Sequence, residues 1–316
     1  MSDPTAWHDR PDRTIESVQP RGSAVSATLA RMRAFTRAVS RSKAGMVGWA
    51  GLTLIGLMAL FAPVLAPQDP LQQDLAQRTG PPTISLFGLG PHPLGNDQLG
   101  RDILSRLIYG SQVSLLVGAT VVLLGGSTGV TLGILAGILG GWPERIIMRL
   151  VDIQLAFPLI LLAISIVAVL GPSLPNLIGA LALTGWVSYA RIVRAETLAL
   201  REREFVTAAR SLGAGQWRIA SRHILSNIVA PAIVVATHEL ARVIILEASL
   251  SFLGLGIQPP TPSWGRMLAD GRDFVATAWW LATFPGLAIM LLVLSVNLVG
   301  DWLREYLDPR LRRAHG

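Results

Sequence analysis

The sequence predicts an all-α fold, a polytopic membrane protein with six transmembrane helices. Hydrophobic residues make up 51% of its 316 positions and charged residues only 15%. A water-soluble domain keeps about 25% charged residues to cover its surface. The basic residues are also gathered into short stretches between apolar runs, as in a chain threaded through a bilayer. That distribution sets aside nucleic acid as the reason for a net charge of +7. Cysteine is absent, which excludes disulfides, zinc–thiolate sites and cysteine nucleophiles.

In chain order, residues 1–43 form a polar, basic arm without the apolar core of a secretory signal. The arm is expected to be cytoplasmic, either disordered or lying at the interface. Arg31, Arg33, Arg37, Arg41 and Lys43 crowd the start of the first apolar run. A helix needs about 20 apolar residues to cross the hydrocarbon core. The spans expected on that ground are 44–66, 111–140, 145–170, 176–189, 228–255 and 276–299. Residues 67–110 form a loop on the far side, rich in Pro, Gln and Gly over 67–94. The core is expected over 111–303 and a cytoplasmic tail over 304–316. Trp49, Trp142, Trp186, Trp264, Trp279, Trp280 and Trp302 fall near expected span ends, where interfacial aromatics collect.

Orientation follows from the arginines. Arg191, Arg194, Arg201, Arg203, Arg210, Arg218 and Arg222 share one connector, and Arg304, Arg310, Arg312 and Arg313 share the tail. The loop 67–110 holds only Arg78, Arg101 and Arg106, and 171–175 holds none. Six spans with the N-terminus inside put every rich segment in the cytoplasm, so both termini are expected there.

The connector 194–226 is far longer than a link between spans requires. Glu202, Glu204, Phe205, Ala208, Ala209 and Leu212 follow a helical pattern that Gly213-Ala214-Gly215 stops. A second helical stretch, 216–225, returns to the membrane. The product is a knob of two short helices around a glycine elbow, with small side chains suited to a partner's groove.

Here the sequence resembles a known family. Phe205-Val206-Thr207-Ala208-Ala209-Arg210-Ser211-Leu212-Gly213-Ala214 is similar to the EAA signature of binding-protein-dependent ABC importer permeases, with Thr207 where Glu is frequent and Ser226 where Pro is usual. Three further stretches, His92–Arg106, Met148–Pro158, and Glu247–Gly256 followed by Pro262-Ser263-Trp264-Gly265, resemble dipeptide and oligopeptide permeases of the C-subunit type. The resemblance covers roughly residues 43–309. It implies the type I ABC importer transmembrane domain in a bacterial inner membrane. It also implies a heterodimer with a second permease, two cytoplasmic ATP-binding subunits that hold ATP and magnesium, and an extracytoplasmic solute-binding protein. The chain itself would bind no cofactor and catalyse nothing. The resemblance makes Glu204, Phe205, Thr207, Ala208, Ala209, Arg210, Leu212, Gly213 and Ala214 the ATPase-coupling loop. Its solutes are di- or oligopeptides, with nickel chelates and glutathione as the family's other uses.

Ionisable residues within spans are costly and mark function or face the protein interior. Glu239 and Arg242 share a helix face and are expected to pair; a solute contact is the second reading. Glu247 either lines the pathway or caps a neighbouring loop. Asp152 is expected to pair with Arg149, with a gate contact as the alternative. Arg201, Arg203, Arg210 and Arg218 are expected to meet either acidic groups on the partner or anionic lipid. Gly125, Gly126, Gly129, Gly133 and Gly137 give the small-residue spacing of close helix packing within the subunit, ahead of a heterodimer contact. Gly125-Gly126-Ser127-Thr128-Gly129 lacks the lysine of a phosphate loop, and the histidines show no metal spacing. A gradient-driven secondary transporter or channel is the competing class; it calls for internal repeats and several mid-membrane carboxylates, and no repeat is visible.

Overall fold

A computed structural model describes residues 33, 35–85 and 88–307. The expectations for the rest of the arm and for the end of the tail therefore lie outside the described residues. Ser42 opens the first span: it is extended and its side chain accepts a hydrogen bond from the amide of Gly45 at 3.1 Å. Helix α1 runs Lys43–Leu60 and continues as a single turn, α2, Ala62–Leu65, with a proline in its opening turn.

The far-side loop folds into an ordered cap carrying a minimal hairpin, β1 Ile84–Ser85 against β2 Gly88–Leu89. Its last residues start α3, Ile103–Leu139, ahead of the expected residue 111. Asp102 is the reason. Its carboxylate accepts from the amide and the hydroxyl of Ser105, both at 2.7 Å, and lies 3.2 Å from Nδ1 of His92. Asp97 accepts from the amides of Leu99 and Arg101 and from Nε of Arg101 at 2.6 Å, with Arg106 Nε at 3.6 Å. The segment 92–106 is thus a buried polar knot that holds the cap on the N-terminal end of α3.

The expected third span is two helices. Helix α4, Gly141–Leu155, and helix α5, Leu159–Leu170, meet at 89°. Pro158 sits at the break, and proline disfavours the helical conformation of the residue before it. Helix α6, Leu174–Arg201, outruns the expected 176–189. After the elbow described below, helix α9, Leu225–Phe252, crosses back; α10, Trp264–Gly271, lies on the cap side; and α11, Trp280–Leu307, is the last span. Among the described residues, five helices are long and apolar enough to cross a bilayer, and the bent α4–α5 pair makes a sixth if counted as one span.

The bundle is built on α3 against α6, α1 against α11, and α9 between α3 and α11. The glycine stripe of α3 is where α6 approaches. A Cβ added at Gly133 would stand 2.8 Å from the carbonyl oxygen of Ala190, one at Gly137 2.5 Å from Thr197, and one at Gly129 would collide with the Trp186 carbonyl. These glycines serve packing inside the subunit. The outward residues are apolar: Leu54, Leu60, Val64, Leu123, Leu161, Val169, Met290 and Leu294 are all exposed, as lipid contact requires.

The interfacial reading of the tryptophans is corrected for Trp186, Trp264, Trp280 and Trp302, which are buried. Three of these use the indole N–H internally: Trp264 donates to the carbonyl of Leu107 at 2.9 Å, Trp186 to Gln154 Oε1 at 2.9 Å, and Trp280 to the carbonyl of Asn96 at 3.3 Å. Trp142 and Trp279 are exposed, as interfacial aromatics are.

Candidate coupling elbow

Helix α6 runs out of its apolar stretch and ends at Arg201. The chain turns at Glu202 and Arg203 and enters α7, Glu204–Ser211, with Glu204 in its first turn and Arg210 in its last, both favourable to the helix dipole. The end of α7 is fixed by two backbone bonds, Gly213 N–H to the carbonyl of Arg210 and Ala214 N–H to that of Ala209, each 3.0 Å. Together they are a Schellman closure, which needs a left-handed residue after the cap. Gly213 supplies it at φ +81°. A short helix α8, Gln216–Arg218, and a π-helical stretch, Ile219–Ile224, then lead straight into α9.

One residue ties the elbow to the bundle. Val206 is fully buried in a cluster with Val193, Ile219, Ile224 and Ile228. Its neighbours face outward: Phe205 is 43% exposed, Leu212 89% and Trp217 70%. Glu204, Thr207, Ala208, Arg210 and Gly213 are exposed too, and Ala209 and Ala214 are half-buried. The residues expected to form the coupling loop therefore sit together on one protrusion. A Cβ at Gly213 would meet no atom of this chain within 4 Å. The apolar tip is exposed surface in a region too polar to face lipid. Val206 and Trp217 were not singled out from sequence. Trp217 carries a signal that could have found it: a lone tryptophan flanked by Gln216 and Arg218, away from any span.

The elbow stands on a braced base. Arg201, expected to meet a partner or lipid, instead donates to the carbonyl of Gly137 at 3.0 Å. Arg194 grips Glu144 of α4 through Nε at 2.7 Å and through its terminal nitrogen. The last turns of α3, the start of α4 and the end of α6 are thereby joined.

The ionisable residues expected along the pathway do not converge. Arg242 pairs with Glu239 on α9, at 3.0 and 3.3 Å. Glu247, further along the same helix, is buried and accepts from the Ser251 hydroxyl at 2.8 Å. That hydroxyl accepts the amide of Ile257 at 3.3 Å, so Glu247 steadies the turn after α9. Asp152 does not pair with Arg149. It lies 3.7 Å from Arg191 of α6, with both side chains more than half exposed. The neighbouring helix offers the cation instead. No group of three or more His, Cys, Asp or Glu side chains able to hold a metal exists among the described residues.

Residues 129–313 match the family model described as binding-protein-dependent transport system inner membrane component. The chain belongs to that family. Residues 31–82 match a second model, the N-terminal transmembrane domain of oligopeptide transport permease C. Among similar proteins, the di/tripeptide transport system permease protein DppC of Pseudomonas aeruginosa is 44% identical over 283 residues, 90% of this chain and 93% of that protein. The dipeptide permease DppC of Escherichia coli K12 is 45% identical over 282 residues, 89% and 94% of the two chains. A solved structure of the MetNI methionine ABC transporter aligns with TM-score 0.53 and 18% identity over 65% of this chain and 98% of that one. At that identity the likeness concerns the fold, which is that of an ABC importer membrane subunit. As a permease of this family, the chain is a multi-pass transport component rather than an enzyme.

Proposed function

We propose that this permease forms, with a second homologous permease, the translocation pathway of an ATP-driven importer for dipeptides or short oligopeptides. The relatives named above are di- and tripeptide permeases, which supports the solute class. The chain sits in a bacterial inner membrane with both termini and the elbow in the cytoplasm. Two ATP-binding subunits, holding ATP and magnesium, receive the two elbows, and a binding protein delivers the peptide to the cap side. The observation that carries this reading is the elbow: α7 pinned by Val206 while Phe205, Leu212 and Trp217 project into solvent. A channel or gradient-driven carrier has no use for such a protrusion. Selectivity then rests chiefly on the binding protein. Closure of the ATPase pair moves the elbow, and the braced base passes that motion to α3, α4 and α6.

The test is reconstitution in proteoliposomes with the second permease, the ATPases and the binding protein, following labelled dipeptide uptake and ATP hydrolysis together. Uptake is expected only with nucleotide and all partners. Gly213→Leu is expected to abolish it while the permease still purifies as a folded bundle. Uptake by the permease alone, or undiminished uptake by the Gly213 variant, overturns the reading.

A further inference from the structure

Ahead of the first span the chain is helical over residues 35–41 and turns a corner at the extended Ser42. Burial in this stretch has a helical period. Phe35, Ala38, Val39 and Ser42 are half-buried, while Arg33, Thr36, Arg37, Ser40 and Arg41 are exposed. The inner face is held by an aromatic cluster. The Phe35 ring sits edge-on to Trp49 of α1 at 5.6 Å, to Trp302 of α11 at 5.2 Å and to Tyr306 at 6.1 Å. On the opposite face Arg33, Arg37 and Arg41 recur every fourth residue, so they form one stripe pointing away from the bundle.

Among the described residues the stripe has no paired counter-charge. None of the three arginines makes an ion pair among the described residues, although Asp301 and Glu305 lie on the helix that carries Trp302. No acidic residue occurs between Arg33 and the middle of α1. Because Ser42 breaks the helix where α1 begins, residues 35–41 need not continue the span into solvent. They are attached at the level where an apolar helix meets headgroups, apolar side inward.

We infer that this segment is an interfacial anchor whose Arg33–Arg37–Arg41 stripe binds anionic phospholipid headgroups, docked to the bundle by Phe35. The occupant follows from charge and place: three guanidiniums without an ion pair among the described residues, continuous with a membrane span, face the plane in which lipid phosphates lie. Guanidinium groups pair well with phosphate oxygens. The anchor joins α1 to α11 through the aromatic cluster, so lipid composition acts on the packing of the first and last spans. This conclusion requires only that the chain is embedded in a bilayer, and it stands apart from the coupling assignment.

The absence of cysteine makes the test direct. Ser40→Cys in the full-length chain provides a single site for a spin label on the exposed face. The labelled protein is placed in nanodiscs of phosphatidylcholine alone or with a third of it replaced by phosphatidylglycerol. Exposure of the label to a water-soluble nickel chelate is then measured. Phosphatidylglycerol is expected to cut that exposure several-fold, and high salt is expected to restore it, since screening shortens to about 3 Å at 1 M. The variant carrying Arg33→Gln, Arg37→Gln and Arg41→Gln is expected to lose the lipid response, with interfacial partition weaker by about a hundred-fold. Phe35→Ala is expected to keep the response while the label tumbles more freely. Equal exposure in both lipids, a lipid response surviving in the triple variant, or a label shielded by a partner protein in detergent but not by lipid each overturns the inference.

Discussion

Trp264 is wholly buried and donates its indole N–H to the carbonyl of Leu107 over 2.9 Å, lying so close to Gly110 that a Cβ there would stand 2.7 Å from the indole. This contact clamps α10 to the first turns of α3. Trp264→Phe keeps most of the packing and loses the hydrogen bond, and is expected to cost about 1 kcal/mol. Trp264→Ala is expected to cost about 3–5 kcal/mol. Thermal unfolding of the purified permease in detergent measures both.

Asp97 and Asp152 are both paired carboxylates, but their surroundings predict opposite outcomes. Asp97→Asn removes the nearest anion from buried Arg101 and Arg106 and leaves them only Asp270, 4.0 Å from Arg101, a change expected to destabilise by about 2–4 kcal/mol. Asp152→Asn removes an exposed pair to Arg191 and is expected to change stability by less than about 1 kcal/mol. Denaturation midpoints of the two variants, measured side by side, check the contrast.

The glycine stripe of α3 gives a third outcome. Gly133→Leu pushes into the backbone of Ala190 and the side chain of Val193, and is expected to yield aggregated or poorly expressed protein. Gly56→Leu on α1, where a Cβ meets nothing within 4 Å, is expected to be tolerated. Gel filtration of the two variants separates them.

At the elbow, Trp217→Ala and Leu212→Ala remove exposed side chains and should leave the melting temperature of the isolated permease within a degree or so. If they anchor the ATPase, each is expected to weaken its binding by about 30-fold, the effect of losing an interface hot spot. Val206→Ala is expected to do the reverse, lowering stability by about 1–3 kcal/mol through the cavity it leaves in the Val193–Ile228 cluster. A pull-down with the ATPase and a melting curve, run on all three variants, distinguish anchor from tip.

The spans were legible because apolar runs reveal the slab of hydrocarbon, but hydropathy reports the slab and not the helix. Helix α6 continues through Arg191 and Arg194 to Arg201 because those side chains find Asp152, Glu144 and the Gly137 carbonyl beyond the lipid. Helix α3 starts at Ile103 because Asp102 caps it, a local signal hidden inside a polar stretch. The break before Leu159 was marked by Pro158, yet a proline alone does not tell a kink from a right-angled turn. At the elbow, Gly213 announced the turn through its conformational freedom. Whether Val206 or Phe205 points inward depended on tertiary contacts that no spacing rule supplies.

The backbone from Gln216 to Phe252 is helical without interruption for 37 residues. At 1.5 Å per residue that is a rod of about 55 Å, nearly twice the thickness of hydrocarbon it crosses. Trp217 is at one end, and the turn steadied by Glu247 and Ser251 is at the other. Mechanically a rod of that length is a lever arm. A swing of ~5° about the elbow displaces the opposite tip by ~5 Å over that length, comparable to one helical turn. A small rotation at one end is thereby amplified, by leverage alone, into a movement as wide as a peptide backbone.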